Sequence, residues 1–332
     1  MKQTQFDKLL ENVIQQFQRL VNGDFAFNQT NNQHIQITIK HQTRSYQLNG
    51  MVVPSVTMSN LGTILSKLAK MESPAVLLTN YVNPRLADRL KEMNVYFIDS
   101  AGNSFLNLPT LFVFTKGNKK LQNKPSETIR RIWRPAGLRI IFVLLSEPGL
   151  ESKSFRLIAQ KAGVALGSVA KIMQELKEMG FLIEIGKNKR ILKQKKELLE
   201  RWIMLFPDVL RPKLILGKFK PKDENWWINT NLKKYQVYWS GEVAAWLLTK
   251  YLKPQKMTVY VEQWPNPFLI DFKMQKDADG SVEVLKKFWH DLPEQNVVPP
   301  ILVYADLLAT GDPRNIEVGN LIYEKEIAKY IG

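Results

Sequence analysis

The chain has 332 residues, 45% of them hydrophobic and 23% charged, too long for one ordinary core and too apolar for a disordered chain, so two or three domains are expected. It has no cysteine and only three histidines, His34, His41 and His290, which excludes disulfides, thiolate metal sites and cysteine catalysis and leaves little for a histidine-built metal site. The net charge is +16, no apolar run approaches a membrane span, and Met1–Asp7 lacks an apolar leader core, so a cytoplasmic protein with no membrane partner is expected.

Residues 1–118 read as one mixed α/β domain. Phe6, Leu9, Leu10, Val13, Ile14, Phe17 and Leu20 recur at helical spacing, with Gly23 to end the helix. His34 to Lys40 alternates, placing Ile35, Ile37 and Ile39 on one face, and Arg44 to Met51 can return beside it as a hairpin. A helix over Leu61 to Met71, a buried strand over Ala75 to Leu78 and a helix over Pro84 to Met93 follow, the last with Asn83 as cap and Pro84 in its first turn. Strands over Val95 to Asp99 and Leu111 to Thr115 complete the domain, and Asp99 to Gly102 reads as a strand-end turn. Residues 119–128, within the polar stretch Lys116 to Glu127, read as a linker.

Residues 129–200 form a helical unit with the order of a winged helix-turn-helix. An apolar helix over Arg139 to Leu145 is closed by Pro148-Gly149. Ser154 caps a short helix that turns Phe155, Leu157, Ile158 and Ala162 inward. Gly163 supplies the tight turn, because glycine reaches positive φ at little cost. A second helix runs from Ala165 to Met179 with Val169, Ile172, Met173 and Leu176 on one face, and Gly180 ends it. Phe181 to Ile185 and Ile191-Leu192 then flank the tip Gly186-Lys187-Asn188-Lys189-Arg190. Between Lys119 and Lys222 there are 24 Lys and Arg against 9 Asp and Glu, a net of +15, so nearly the whole surplus lies in one third of the chain. Charge that served only solubility would be spread; a surface for phosphate is concentrated.

Those features point to double-stranded DNA. A recognition helix enters the major groove with its N-terminal residues nearest the base edges, which selects Ser168, Lys171 and Gln174 as readers and Leu166 and Gly167 as positions of close approach. Lys187, Asn188, Lys189 and Arg190 are expected on backbone phosphates, with Arg130, Arg131 and Arg134 as flanking contacts.

Residues 201–332 return to α/β patterning, with a helix over Glu242 to Tyr251, strands over Met257 to Glu262 and Pro299 to Tyr304, and a last helix over Asn315 to Tyr330. Ser240-Gly241-Glu242 has the look of a nucleophile loop, yet no histidine is near in sequence, and an N-cap serine with a first-turn glutamate is the simpler account. Asp306 with Asp312-Pro313-Arg314 is a candidate cation holder, set against a plain turn at Gly311-Asp312-Pro313. Trp226, Trp227 and Trp239 are expected in the core rather than on bases. No Walker A and no GxGxxG sequence occurs, and no cofactor is expected.

The chain resembles the AbiEi-like antitoxins of type IV toxin–antitoxin systems. The likeness rests on Tyr96 to Leu106 (YFIDSAGNSFL), Arg134 to Leu138, Ala162 to Val169, Leu210 to Leu214, Trp239 to Ala245 and Val303 to Arg314. It implies a regulator that represses its own operon and opposes a nucleotidyltransferase-like toxin, and a second copy of the chain is a candidate partner. The N-terminal domain also resembles the restriction-endonuclease-like fold, through its hairpin and the β-α-β that follows. That chemistry needs carboxylates and a lysine on adjacent strands to hold a divalent ion, whereas His34 to Lys40 and Tyr46 to Gly50 contain no carboxylate. The expectation is therefore a degenerate scaffold and a protein that is not an enzyme. The alternatives are a DNA-processing nuclease using the N-terminal domain, and an antitoxin that grips only protein.

Overall fold

The computed structural model describes residues 3–21, 24–29, 34–41, 43–58, 60–119, 130–185, 189–228, 230, 232–291 and 296–331. Gly23, most of the linker at 119–128 and the tip residues Gly186, Lys187 and Asn188 lie outside them. The chain divides into two compact units, residues 1–127 and 128–332.

In the first unit a helix α1 (Gln3–Val21) precedes a seven-stranded sheet whose strands lie in chain order: β1 (Asp24–Gln29), β2 (His34–His41), β3 (Arg44–Val52), β4 (Ala75–Thr79), β5 (Tyr96–Asp99), β6 (Ser104–Leu108) and β7 (Leu111–Thr115). Strands β1 to β3 form an antiparallel meander, β3, β4 and β5 are parallel, and β6 and β7 are antiparallel. The parallel steps require crossovers, supplied by α2 (Leu61–Leu68) and α3 (Pro84–Glu92). Ile35, Ile37, Ile39, Val76, Leu78 and Ile98 bury one sheet face beside Leu9, Leu10, Val13 and Phe17 of α1. Asn83 caps α3 by accepting from Leu86 N at 2.9 Å. Strands β1 and β6 were not legible in the sequence pattern.

In the second unit α4 (Pro135–Ser146) is buried along most of its length. It packs with α5 (Phe155–Ala162), α6 (Leu166–Glu178) and α7 (Lys195–Val209), and the antiparallel pair β8 (Leu182–Ile185) and β9 (Lys189–Leu192) meets α6 through β8. A five-stranded sheet follows, ordered β11 (Val237–Ser240), β12 (Met257–Val261), β14 (Val282–Lys286), β10 (Ile215–Lys220) and β13 (Gln275–Lys276). Helices α8 (Gly241–Thr249), α10 (Pro300–Ala309) and α11 (Pro313–Ile322) pack on one another, with a short α9 (Asn266–Asp271) between β12 and β13. The segments 129–200 and 201–332 share this one compact unit because they share a core: Phe142 of α4 lies 5.6 Å from Trp202, 4.9 Å from Phe288 and 5.6 Å from Trp289, centroid to centroid.

Two expectations for the C-terminal part are corrected. Pro299 to Tyr304 is not a strand: α10 runs Pro300–Ala309 and buries Ile301 through Leu308 on all sides. A short apolar run buried all round carries no period to tell helix from strand. Ser240 does not cap α8 with its side chain; its hydroxyl donates to the buried Asp306 carboxylate at 2.7 Å. Asp306 in turn faces the Tyr260 hydroxyl at 3.1 Å and the Arg211 guanidinium at 2.8 Å, so it is neutralised inside the fold. Glu242 accepts from Gln255 N at 2.6 Å and from the Asn315 amide at 3.1 Å. Trp226 and Trp239 are buried and pack together at 5.2 Å. Among the described residues no helix is long and apolar enough to cross a membrane.

Candidate nucleic-acid interface

The surface is built from α5, α6 and the β8–β9 pair. Ser154 starts α5 by accepting from Leu157 N at 3.3 Å. Gly163 ends it at φ 60°, ψ 42°, a left-handed conformation that a side chain disfavours. Helix α6 buries Val169, Ile172, Met173 and Leu176 against the unit. Its outer face carries Leu166, Gly167, Ala170, Lys171 and Gln174, all exposed, with Ser168 half-buried at one flank. Nothing lies within 4 Å of the position a side chain would occupy at Gly167. The Gln174 amide nitrogen donates to Glu178 Oε1 at 3.2 Å, one turn on along the same face.

The cations expected on phosphate divide into three groups. Arg130, Arg131, Arg134 and Lys189 have exposed side chains, the first three before and at the start of α4 and the last at the start of β9. Lys187 and Asn188 lie outside the described residues. Arg190 is turned inward: Nε donates to Glu151 O and Nη2 to Lys153 O, both at 2.6 Å, and the guanidinium stacks over Phe155 at 4.6 Å. Ser152 Oγ accepts from Arg190 N at 3.0 Å and donates to Arg190 O at 2.6 Å. Arg190 therefore fastens β9 to the start of α5. Lys177 and Glu184 pair across α6 and β8 at 2.6 Å, and the hydrogen bond from Lys177 holds the Glu184 carboxyl below its ordinary range.

Sequence reasoning missed the far side of the turn. His290 N donates to Lys161 O at 2.8 Å, Lys161 Nζ donates to Asp291 O at 2.6 Å, and the Gln160 amide donates to the Asp291 carboxylate at 2.8 Å. Arg139 reaches Gly163 O at 3.3 Å and lies over the Phe288 ring; burial lowers the pKa of its guanidinium. His290 and Asp291 line an open groove of about 640 Å³ together with Ala159, Gln160, Gly163, Val164 and Ala165. These partners stand some 130 residues apart in the chain, so no local pattern announces them. Ala170 and Glu178 were also missed, because small and acidic residues on a polar helix face read as solvated.

Residues 190–328 match a family model described as transcriptional regulator, AbiEi antitoxin, type IV TA system. The matched region begins on β9 at Arg190 and extends through β10 to β14 and α11. Of the segments that carried the resemblance, Leu210 to Leu214, Trp239 to Ala245 and Val303 to Arg314 fall inside it, whereas Tyr96 to Leu106, Arg134 to Leu138 and Ala162 to Val169 precede it. Phe288, His290 and Asp291, which brace the turn between α5 and α6, fall inside the matched region. No curated protein and no solved structure matches the chain.

Proposed function

We propose that this chain is a sequence-specific double-stranded-DNA-binding transcriptional regulator, an autorepressing type IV antitoxin opposing a nucleotidyltransferase-like toxin. Residues 129–200 are its winged helix-turn-helix: α4, α5 and α6 are the three helices, α6 enters the major groove, and β8 and β9 form the wing. The observation that carries this reading is the outer face of α6. Leu166, Gly167, Ala170, Lys171 and Gln174 stand exposed there, inside the third of the chain that holds nearly all of its net positive charge. Such a face offers hydrogen-bonding and apolar groups to base edges while the surrounding cations hold phosphate. The antitoxin role is supported by the family match over residues 190–328.

The N-terminal unit is read as a nuclease-like scaffold without its chemistry. Its order of α1, β1 to β3, α2 and β4 places Gln36, Thr38, Gln47 and Asn49 on the β2–β3 face opposite Ile35, Ile37 and Leu48. Amides and a hydroxyl stand where metal-dependent cleavage would need carboxylates.

A mobility-shift titration of the full chain on its own upstream duplex and on a scrambled duplex, at 50 and 200 mM salt, tests the reading. Specific retention that weakens by about 10³- to 10⁵-fold over that range is expected for six to ten phosphate contacts. Failure to retain either duplex at low salt would remove DNA as the partner.

A further inference from the structure

We infer that α6 reads an A·T-containing half-site, with Leu166 and Ala170 against thymine methyl groups and Gln174 paired to adenine by an amide that Glu178 aims. This rests on the DNA-binding reading above and names the bases that the same helix selects.

Leu166 opens a 13-residue helix and is 48% exposed, while the other large apolar residues of that helix, Val169, Ile172, Met173 and Leu176, are at most 3% exposed. Ala170 lies one turn on and Gln174 a second turn on, so the three follow one line along the exposed surface. An apolar pair at the leading end of a helix has one good counterpart in the major groove. Thymine alone presents a methyl group there, whereas guanine, cytosine and adenine present only hydrogen-bonding edges. Gly167, with nothing within 4 Å of where a Cβ would stand, adds no side chain to hold the helix away from the groove.

Gln174 supplies the partner strand's base. Its amide nitrogen has two N–H groups, and one is held by Glu178 Oε1 at 3.2 Å. That bond settles which end of the amide is which, since a flipped amide would set Oε1 against the carboxylate. The second N–H and Oε1 remain to meet adenine N7 and N6, a donor and an acceptor in the required order. Guanine would set its O6 against Oε1, two acceptors facing each other. Glu178 is thus a positioning residue, acting through Gln174.

The test is selection of duplexes from a random library by the full chain, followed by resynthesis of the selected duplex with deoxyuridine for deoxythymidine, which removes only the methyl groups. The selected site should lose about fourfold in affinity per contacted methyl, and Leu166→Ala should lose the share of that discrimination carried by the methyl against Leu166 while keeping the share at Ala170. Gln174→Ala should lower preference for adenine at one position by about tenfold to a hundredfold. Glu178→Gln, which keeps the side-chain length but offers its own donor, should weaken that preference at unchanged salt slope. Equal binding of thymine and uracil duplexes by the parent, with salt-sensitive DNA binding intact, would overturn the base assignment and leave the DNA reading standing. Absence of any salt-sensitive DNA binding would overturn both.

Discussion

The backbone amide of His290 donates to the carbonyl of Lys161 at 2.8 Å, which joins the region that matches the AbiEi family model to the last turn of α5. Gly163, two residues on, has φ 60°, and a Cβ there would sit 3.2 Å from both Phe288 O and His290 Nε2. Gly163→Ala therefore meets backbone strain and crowding together. It should cost about 1–2 kcal/mol from the left-handed conformation alone, read as a lower urea midpoint, and should weaken DNA retention with it. A fragment ending at residue 200 loses Trp202, Phe288 and Trp289 from around Phe142 and should not unfold cooperatively. Cooperative unfolding of that fragment with full DNA affinity would show that the C-terminal segment merely abuts the helices.

Lys189 and Arg190 are adjacent in sequence and should behave differently. Lys189 is exposed, so Lys189→Ala should lower the slope of log affinity against log salt by about 0.9, with little change in melting temperature. Arg190 donates to two backbone carbonyls and stacks on Phe155. Arg190→Ala leaves Glu151 O and Lys153 O without those donors and should cost about 1–3 kcal/mol of stability. A thermal melt and a salt titration on the two variants separate the roles. An unchanged melt with a flattened slope for Arg190→Ala would return it to the phosphate contacts.

How far the sequence reached follows from which interactions are local. The Asn83 and Ser154 caps, the Gly163 turn and the Ile35, Ile37 and Ile39 alternation depend on residues within one turn or one strand, and all stand in the fold. The outer face of α6 was legible because its apolar stripe has a clear helical period. Helix α10 was misread because Ile301 to Leu308 is buried all round and shows no period. Strand β6 went unseen because a polar turn, Ser100 to Asn103, hides its start. The inward turn of Arg190 and the brace at His290 and Asp291 depend on partners 37 to 131 residues away, which no local pattern encodes.

Asp99 tests the first unit by itself. Its carboxylate accepts from Val82 N, Ala101 N, Asn103 N and the Asn103 amide at 2.7–2.8 Å. Burial raises its pKa above the ordinary range, and those donors oppose the rise. Asp99→Asn would set an amide N–H₂ against donors and leave at least one buried N–H unmatched. The expected cost is about 1–3 kcal/mol, seen as a lower melting temperature of the first unit with DNA retention by the second largely kept. Loss of DNA binding in that variant would mean that the two units do not act separately.

Arg211 carries the strongest prediction for the C-terminal part of the second unit. Its guanidinium donates to Asp306 at 2.8 Å and to Glu283, and all three side chains are largely buried. Burial alone would lower the pKa of Arg211, but the two carboxylates outweigh it and hold the guanidinium charged. Arg211→Met strands both acids and should cost about 3–5 kcal/mol at neutral pH. The pH dependence then has a definite sign. Burial already raises Asp306 above its ordinary value of 3.8, with Arg211 the main opposing influence, so losing the cation raises it further. A carboxyl whose folded pKa is raised contributes stability that is complete below its unfolded pKa and is lost as pH rises through the folded one. The deficit of Arg211→Met against the parent should therefore shrink on going from pH 7.5 to pH 5, measured by urea unfolding with tryptophan fluorescence. Arg211→Lys should recover part of the stability at both values. A deficit that grows on acidification would mean that the stranded acids are not the cause, and that Arg211 acts through packing.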